Sequence, residues 1–135
     1  MSLDVYLTRP NLDEQAEAEC KAAMAVLDKH GIDTSGILIK TQVFWRNITH
    51  NLNRMADALH VYDHCWRPEE IGIVRAEQLI EPLRAALNEI RNKPEAYRKF
   101  EPSNKWGTVE TMTKFLEEYL AACEKYPTAA VDVSK

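Results

Sequence analysis

Apolar and polar residues alternate at both ends of the chain. Leu3, Val5 and Leu7 are separated by more polar neighbours, and a similar alternation returns over residues 129–133. A period of two is typical of a strand with one buried face. Residues 37–46 are rich in β-branched and aromatic types and could form another strand. We expect the first and last strands to pair within a two- or three-stranded sheet.

Helices are predicted between these strands, because apolar residues recur there every three or four positions. The first helix covers residues 11–30, with Asn11 opening a capping box and Gly31 at the position after its end. The second is capped by Asn47 or begins earlier, since Phe44 lies on the same stripe. That stripe consists of Ile48, Leu52, Met55 and Leu59.

Two more helices follow a less regular connection over residues 60–74. The third ends before Pro94, and Pro82 either kinks it or marks a new first turn. Residues 95–107 predict a short helical turn and a loop, and Thr108 is a good N-cap for the fourth helix. Their apolar stripes are Leu79, Leu83, Leu87 and Ile90, then Met112, Phe115, Leu116, Tyr119, Leu120 and Cys123.

These elements predict an α+β fold in which a single layer of about four helices covers a small sheet containing both terminal strands. The 135 residues fit a single domain, residues 1–135, with 45% hydrophobic and 28% charged side chains. The net charge of −4 lacks the basic footprint of a nucleic-acid-binding protein, so nucleic acid is not an expected partner.

The expected location is the cytoplasm. The sequence has no apolar run near the roughly 20 residues that span a bilayer, so no membrane partner is expected. Asp4 stands where a signal peptide would carry Lys or Arg. Cys20, Cys65 and Cys123 are odd in number, widely spaced and set in apolar helical contexts, which predicts reduced core cysteines.

Common catalytic and cofactor motifs are missing from the sequence. With four glycines, it has neither a phosphate-binding Gly-rich loop nor a dinucleotide fingerprint, and it lacks a Cys-x-x-Cys pair. His60 and His64 share a helix face, but a zinc site needs three or four ligands. A polar helix terminus explains the two histidines better. We therefore predict no metal site and no cofactor.

A polar and aromatic cluster is the strongest candidate for function. His50 points away from the predicted apolar stripe, so it is either solvated or faces a cleft or partner, and Asn51 lies on the stripe's edge. Arg67 follows a tryptophan, and Asn104 and Trp106 share a second loop. A loop tryptophan either covers the core or offers a stacking plane. If these pieces converge, they suit a small polar or nucleotide-like molecule.

The chain resembles a family of small uncharacterised proteins from bacteriophages, prophages and some bacteria. The resemblance covers about two-thirds of the chain and departs from the family pattern at Ala86, Lys105 and Val109. The matching pieces are Asp4–Leu7, Phe44–Leu52 with Met55 and Ala56, Trp66–Pro68, the helix from Leu79 to Leu87, Asn104 with Trp106, Gly107 and Glu110, Tyr119–Cys123, Tyr126, Pro127 and Ala129, and Val131 with Val133 and Ser134.

The resemblance implies no assigned activity. However, the family pattern includes the polar and aromatic residues of the cluster described above. It adds weight to a ligand-binding set of Trp45, Asn47, His50, Asn51, Arg67, Asn104, Trp106 and Glu110, with no catalytic residue among them. We expect a phage-encoded protein that binds a small ligand, such as a nucleotide signal of an antiviral system.

Two alternatives remain. One is a protein interaction module that inhibits a host protein or forms a homo-oligomer through an exposed strand edge. The other is a small hydrolase in which His50 works with Glu110 or Asp63, which would require a carboxylate within about 3 Å of the histidine or one water away.

Overall fold

The computed structural model describes residues 2–9, 22–23, 25–31 and 41–135. These residues form the predicted α+β architecture, with a layer of helices on a small antiparallel sheet. The strands are β1 (Ser2–Arg9), β2 (Thr41–Thr49) and β3 (Ala130–Ser134), in the order β2-β1-β3. The labelled helices are α1 (Asn53–Ala58), α2 (Tyr62–Trp66), α3 (Ile80–Asn92), α4 (Pro94–Tyr97) and α5 (Val109–Lys125).

Strand β1 is the central strand and pairs with both neighbours. Its alternating residues Leu3, Val5 and Leu7 are completely buried, which confirms the predicted buried face. Leu7 lies opposite Phe44 of β2 and opposite Val131 of β3. The predicted pairing of the first strand with the last is therefore confirmed.

Strand β2 runs further than predicted and changes the role of Asn47. The prediction covered residues 37–46, of which residues 37–40 lie outside the described part of the chain. Asn47 is within the strand, opposite Asp4, and its side-chain amide donates to Asp4 Oδ1 at 2.7 Å. The prediction of Asn47 as a helix cap is therefore wrong, because a partner 43 residues away in the sequence holds it in the sheet.

Thr49 is the capping residue instead. Its hydroxyl accepts from the Asn51 N–H at 3.3 Å and opens a 3-10 turn, His50–Leu52, that leads into α1. The predicted stripe is buried as expected, although Ile48 reaches the core from the strand. The irregular connection predicted after it contains α2 and a 3-10 turn over Pro68–Ile71.

Helices α3 and α5 pack against each other and supply much of the core. Pro82 is the third residue of α3, where its missing N–H needs no partner, so it marks a first turn and not a kink. Thr108 caps α5 by accepting from the Thr111 N–H at 3.1 Å, as predicted. The predicted core positions of both helices are buried.

The helix predicted over residues 11–30 lies largely outside the described residues. The described residues 25–29 are helical, and Gly31 has a φ of +76°, the left-handed conformation expected after a helix end. Of the predicted core cysteines, Cys65 and Cys123 are buried free thiols, and Cys20 lies outside the described part. Burial raises the pKa of each of these two thiols to about 12.

Across the described residues, no helix has both the length and the apolar character needed to cross a membrane.

The buried Tyr119 generates a stability prediction. Its ring packs between Phe44 and Phe115, and its hydroxyl is buried with no hydrogen-bond partner among the described residues. An unpaired buried hydroxyl is unfavourable, so we expect Tyr119→Phe to raise the free energy of unfolding by about 1 kcal/mol. Urea unfolding measures the change.

Tyr97→Phe is the matched control. The Tyr97 hydroxyl donates to Glu89 Oε1 at 3.1 Å, so its removal should lower the free energy of unfolding by about 1 kcal/mol. A destabilised Tyr119→Phe would contradict the assignment of an unpaired hydroxyl.

Candidate binding surface

His50 begins the 3-10 turn after β2 and is held there by Trp66. Its Nδ1 accepts a hydrogen bond from Trp66 Nε1 at 2.8 Å, so the neutral ring carries its proton on Nε2. Trp66 is buried, at 2% exposure, and His50 is half-buried. His50 is therefore fixed in orientation by a buried tryptophan, and among the described residues its Nε2–H has no hydrogen-bond partner.

Arg67 lies near a pair of stacked aromatic rings, Tyr62 and Trp66. The rings of Tyr62 and Trp66 stack at 5.4 Å, and the Arg67 guanidinium lies 6.0 Å from the Tyr62 ring centre. Glu70 also approaches the guanidinium, at 3.4 Å. Tyr62 therefore links the buried Trp66 to an exposed cation, because its ring lies against both the Trp66 ring and the Arg67 guanidinium.

The loop over residues 104–107 presents Trp106 to solvent. Asn104 Oδ1 accepts from the Trp106 N–H at 3.0 Å, and the Lys105 N–H donates to Pro102 O at 3.0 Å. Lys105 and Gly107 both have positive φ, at 61° and 109°. Asn104 therefore shapes the loop, and Trp106 stands 69% exposed on a backbone that its neighbours hold in place.

Gly107 brings this loop against the turn that carries His50. A Cβ built on Gly107 would lie 2.8 Å from Leu52 Cγ and 2.9 Å from Thr49 Cγ2. Only a glycine permits this approach together with a φ of 109°. Gly107 therefore joins the two segments through Thr49 and Leu52, and we call residues 49–52 and 104–107 together the His50–Trp106 surface.

The remaining predicted residues divide between this surface and other places. Asn51 belongs to the His50–Trp106 surface and donates its backbone N–H to Thr49. Trp45 and Asn47 lie on β2, where Trp45 is 46% exposed and Asn47 lines a separate concavity of about 440 Å³. The sequence-based set is therefore only partly assembled in space.

Among the described residues, Glu110 pairs with Arg98 and not with His50. Its carboxylate receives two hydrogen bonds from Arg98, at 2.7 and 3.2 Å, in the first turn of α5. These bonds hold the pKa of Glu110 at about 2, well below its ordinary value. Glu101 accepts from the same guanidinium and from the Val109 N–H. Glu110 thus belongs to an ion-pair network that anchors the start of α5.

Sequence reasoning missed Tyr62 and Arg98. The spacing of Arg98 from Glu110 is twelve residues, across a loop, so no helical periodicity indicates their pairing. Trp66 appeared in the pattern beside Arg67, but nothing in the sequence showed that it would bond His50. Within the described residues, no group of three or more His, Cys, Asp and Glu side chains is arranged to hold a metal ion.

The close approach at Gly107 predicts a sharp sensitivity to substitution. Gly107→Ala combines a disfavoured φ with a clash against Leu52, so we expect it to lower the free energy of unfolding by about 2 kcal/mol or more. Gly72→Ala is the control, because Gly72 also has positive φ (76°) but has open space around it. We expect a loss of about 1 kcal/mol there. Equal losses in thermal or urea unfolding would contradict the contact.

The Arg98–Glu110 pair predicts a pH dependence of stability. Because folding lowers the pKa of Glu110 from its ordinary value of 4.5 to about 2, the pair stabilises the fold above about pH 4.5 and loses this effect as pH falls towards 2. Glu110→Gln should therefore lower Tm near neutral pH, and the difference from the wild type should shrink in acid. In an Arg98→Gln background the same substitution should have little effect. A Tm difference that is constant with pH would contradict the pairing.

Comparison of the chain with protein-family models, with curated proteins and with solved structures finds no match in any of the three.

Proposed function

We propose that this chain is a binding protein that captures a small polar, nucleotide-like molecule at the His50–Trp106 surface. The main support for this proposal is the contact of Gly107 with Thr49 and Leu52. This contact sets an exposed tryptophan beside a turn that carries a histidine and an amide. The two segments are more than 50 residues apart in the sequence.

The chemistry of the surface suits a base joined to an anionic group. Trp106 is exposed on a constrained loop, so it can stack on a planar base with little loss of conformational entropy. His50 offers the N–H of a ring whose orientation Trp66 fixes. Arg67, on the adjoining stack, supplies a charge that can pair with phosphate.

The hydrolase alternative has less support. Among the hydrogen bonds between described residues, the partner of His50 is Trp66, and that of Glu110 is Arg98. A histidine that acts as a base needs a positioned proton donor and a carboxylate or water to orient it. We therefore do not propose His50 and Glu110 as an acid–base pair.

The biological setting we propose follows from the resemblance to phage and prophage proteins. A phage protein that binds a nucleotide signal would lower the free concentration of that signal and weaken the antiviral response that depends on it. This role needs binding alone, which agrees with a surface that combines a stacking plane, a donor and a cation.

A host protein is the second candidate partner. Exposed large apolar side chains at Trp106, Trp45, Ile71 and Val74 favour it, because such residues are enriched where proteins meet. The two candidates differ in one measurable respect. A protein partner recovered from host lysate in stoichiometric amounts, and retained after substitution of His50, Arg67 and Trp106, would favour this alternative.

Calorimetric titration with cyclic nucleotides and ADP-ribose-type nucleotides tests the proposal. We expect saturable binding of at least one member, and a loss of about tenfold or more in affinity for Trp106→Ala, since stacking on a base contributes about 1–3 kcal/mol. Ile71→Ala removes another exposed apolar side chain and should leave the affinity within about twofold. The absence of saturable binding across the panel would overturn the proposal.

A further inference from the structure

The outer edge of β3 is covered by the chain itself. The Val131 N–H donates to Val74 O at 3.0 Å, and the Val133 N–H donates to the side chain of Asp132 at 2.9 Å. Covered groups of this kind prevent another strand from pairing there. The β3 edge of the sheet is therefore closed.

The outer edge of β2 is different, and the sheet register shows which of its groups face outward. Because the Val131 N–H points away from β1, its partner Leu7 must direct its own backbone groups towards β2. Leu7 lies opposite Phe44, so the backbone groups of Phe44 point towards β1. Because these directions alternate along a strand, the backbone groups of Trp45, Asn47 and Thr49 point away from β1. Among the described residues, no strand pairs with this edge.

The composition of β2 lacks the usual protection of an edge strand. Its nine residues, Thr41–Thr49, include no proline, lysine or acidic residue. Its single charge, on Arg46, is paired with Glu118 of the same chain. Arg46 also donates to Trp45 O at 2.6 Å, but a carbonyl oxygen has two lone pairs and can accept a second bond.

We propose that two copies of this chain pair through β2, antiparallel and centred on Trp45, to form a continuous six-stranded sheet. Trp45 is the midpoint of Thr41–Thr49. The β1–β2 pairing shifts register between Leu7 and Thr8, so the strongest pairing of the two copies is expected around Trp45 and not at the ends of the strand. In this register the two copies of Trp45 lie opposite each other as a hydrogen-bonded pair. Such a pair is possible because the backbone N–H and C=O of Trp45 point away from β1. A two-fold interface needs such a self-complementary patch.

The charges favour this register over its neighbour. Centring the pairing on Arg46 would oppose two arginines directly, which is destabilising. Centring it on Trp45 opposes Arg46 to Phe44 of the second copy, and the Arg46 guanidinium already lies 5.0 Å from the Phe44 ring of its own chain. The two Trp45 side chains meet across the axis as an aromatic pair.

This proposal goes beyond ligand binding and does not depend on it, because the pairing is centred on Trp45, which lies outside the His50–Trp106 surface, and the two share only Thr49. Sedimentation equilibrium over a range of protein concentrations gives the first test. We expect a dimer for the wild type, and a dissociation constant raised about tenfold or more in Trp45→Lys, which sets like charges on the axis. Val74→Lys adds the same charge at another exposed apolar position and should remain dimeric.

Cysteine cross-linking tests the register itself. In the proposed dimer the Cα atoms of the two copies of residue 45 are about 5.5 Å apart, within reach of a disulfide, whereas those of residue 47 are about 14 Å apart. Under mild oxidation, Trp45→Cys should give a covalent dimer. Asn47→Cys and the wild type, which controls for the native cysteines, should not.

Three results would overturn the proposal. They are a monomer at every concentration, a dimer unchanged by Trp45→Lys, and cross-linking of Asn47→Cys in preference to Trp45→Cys. Circular dichroism of each variant identifies a loss of fold, and the cross-linking result stands even if Trp45→Lys unfolds.

Discussion

The structure depends on one constraint: the central strand β1 pairs with β2 on one side and with β3, near the end of the chain, on the other. Its inward residues Leu3, Val5 and Leu7 are fully buried under the helices, and its two edges hold β2 and β3. A strand with one buried face cannot shift by a single residue without exposing its apolar side chains. The register of β1 therefore fixes where β2 ends and where the turn after it begins.

The end of β2 determines where the polar residues that follow it lie. Because β2 continues to Thr49, His50 starts a turn that meets the buried Trp66 on one side and the loop around Gly107 on another. The exposed Trp106 is the consequence of that loop geometry. The same strand presents Trp45 at an edge that no other described strand covers, so the proposed ligand surface and the proposed self-association surface are connected through the end of β2 at Thr49.

Much of the fold follows from local sequence, and much of the site does not. Alternation identified β1 and β3, and the cap at Thr108 and the apolar stripes of α3 and α5 were visible in the sequence, since these signals are short-range. Asn47 was misassigned because its partner Asp4 is distant in sequence. The pairing of Glu110 with Arg98 was not visible in the sequence for the same reason, since it depends on tertiary structure. The Gly107 contact, which assembles the surface, had no sequence signal beyond the glycine.

The chain's three tryptophans report directly on the proposed binding of a nucleotide-like molecule at the His50–Trp106 surface. Their indole N–H resonances can be followed by two-dimensional NMR during titration with the nucleotide panel. We predict that the resonance of Trp106 shifts, that of Trp66 shifts with it through its bond to His50, and that of Trp45 stays in place. Shifts confined to Trp45, or none at all, would contradict it.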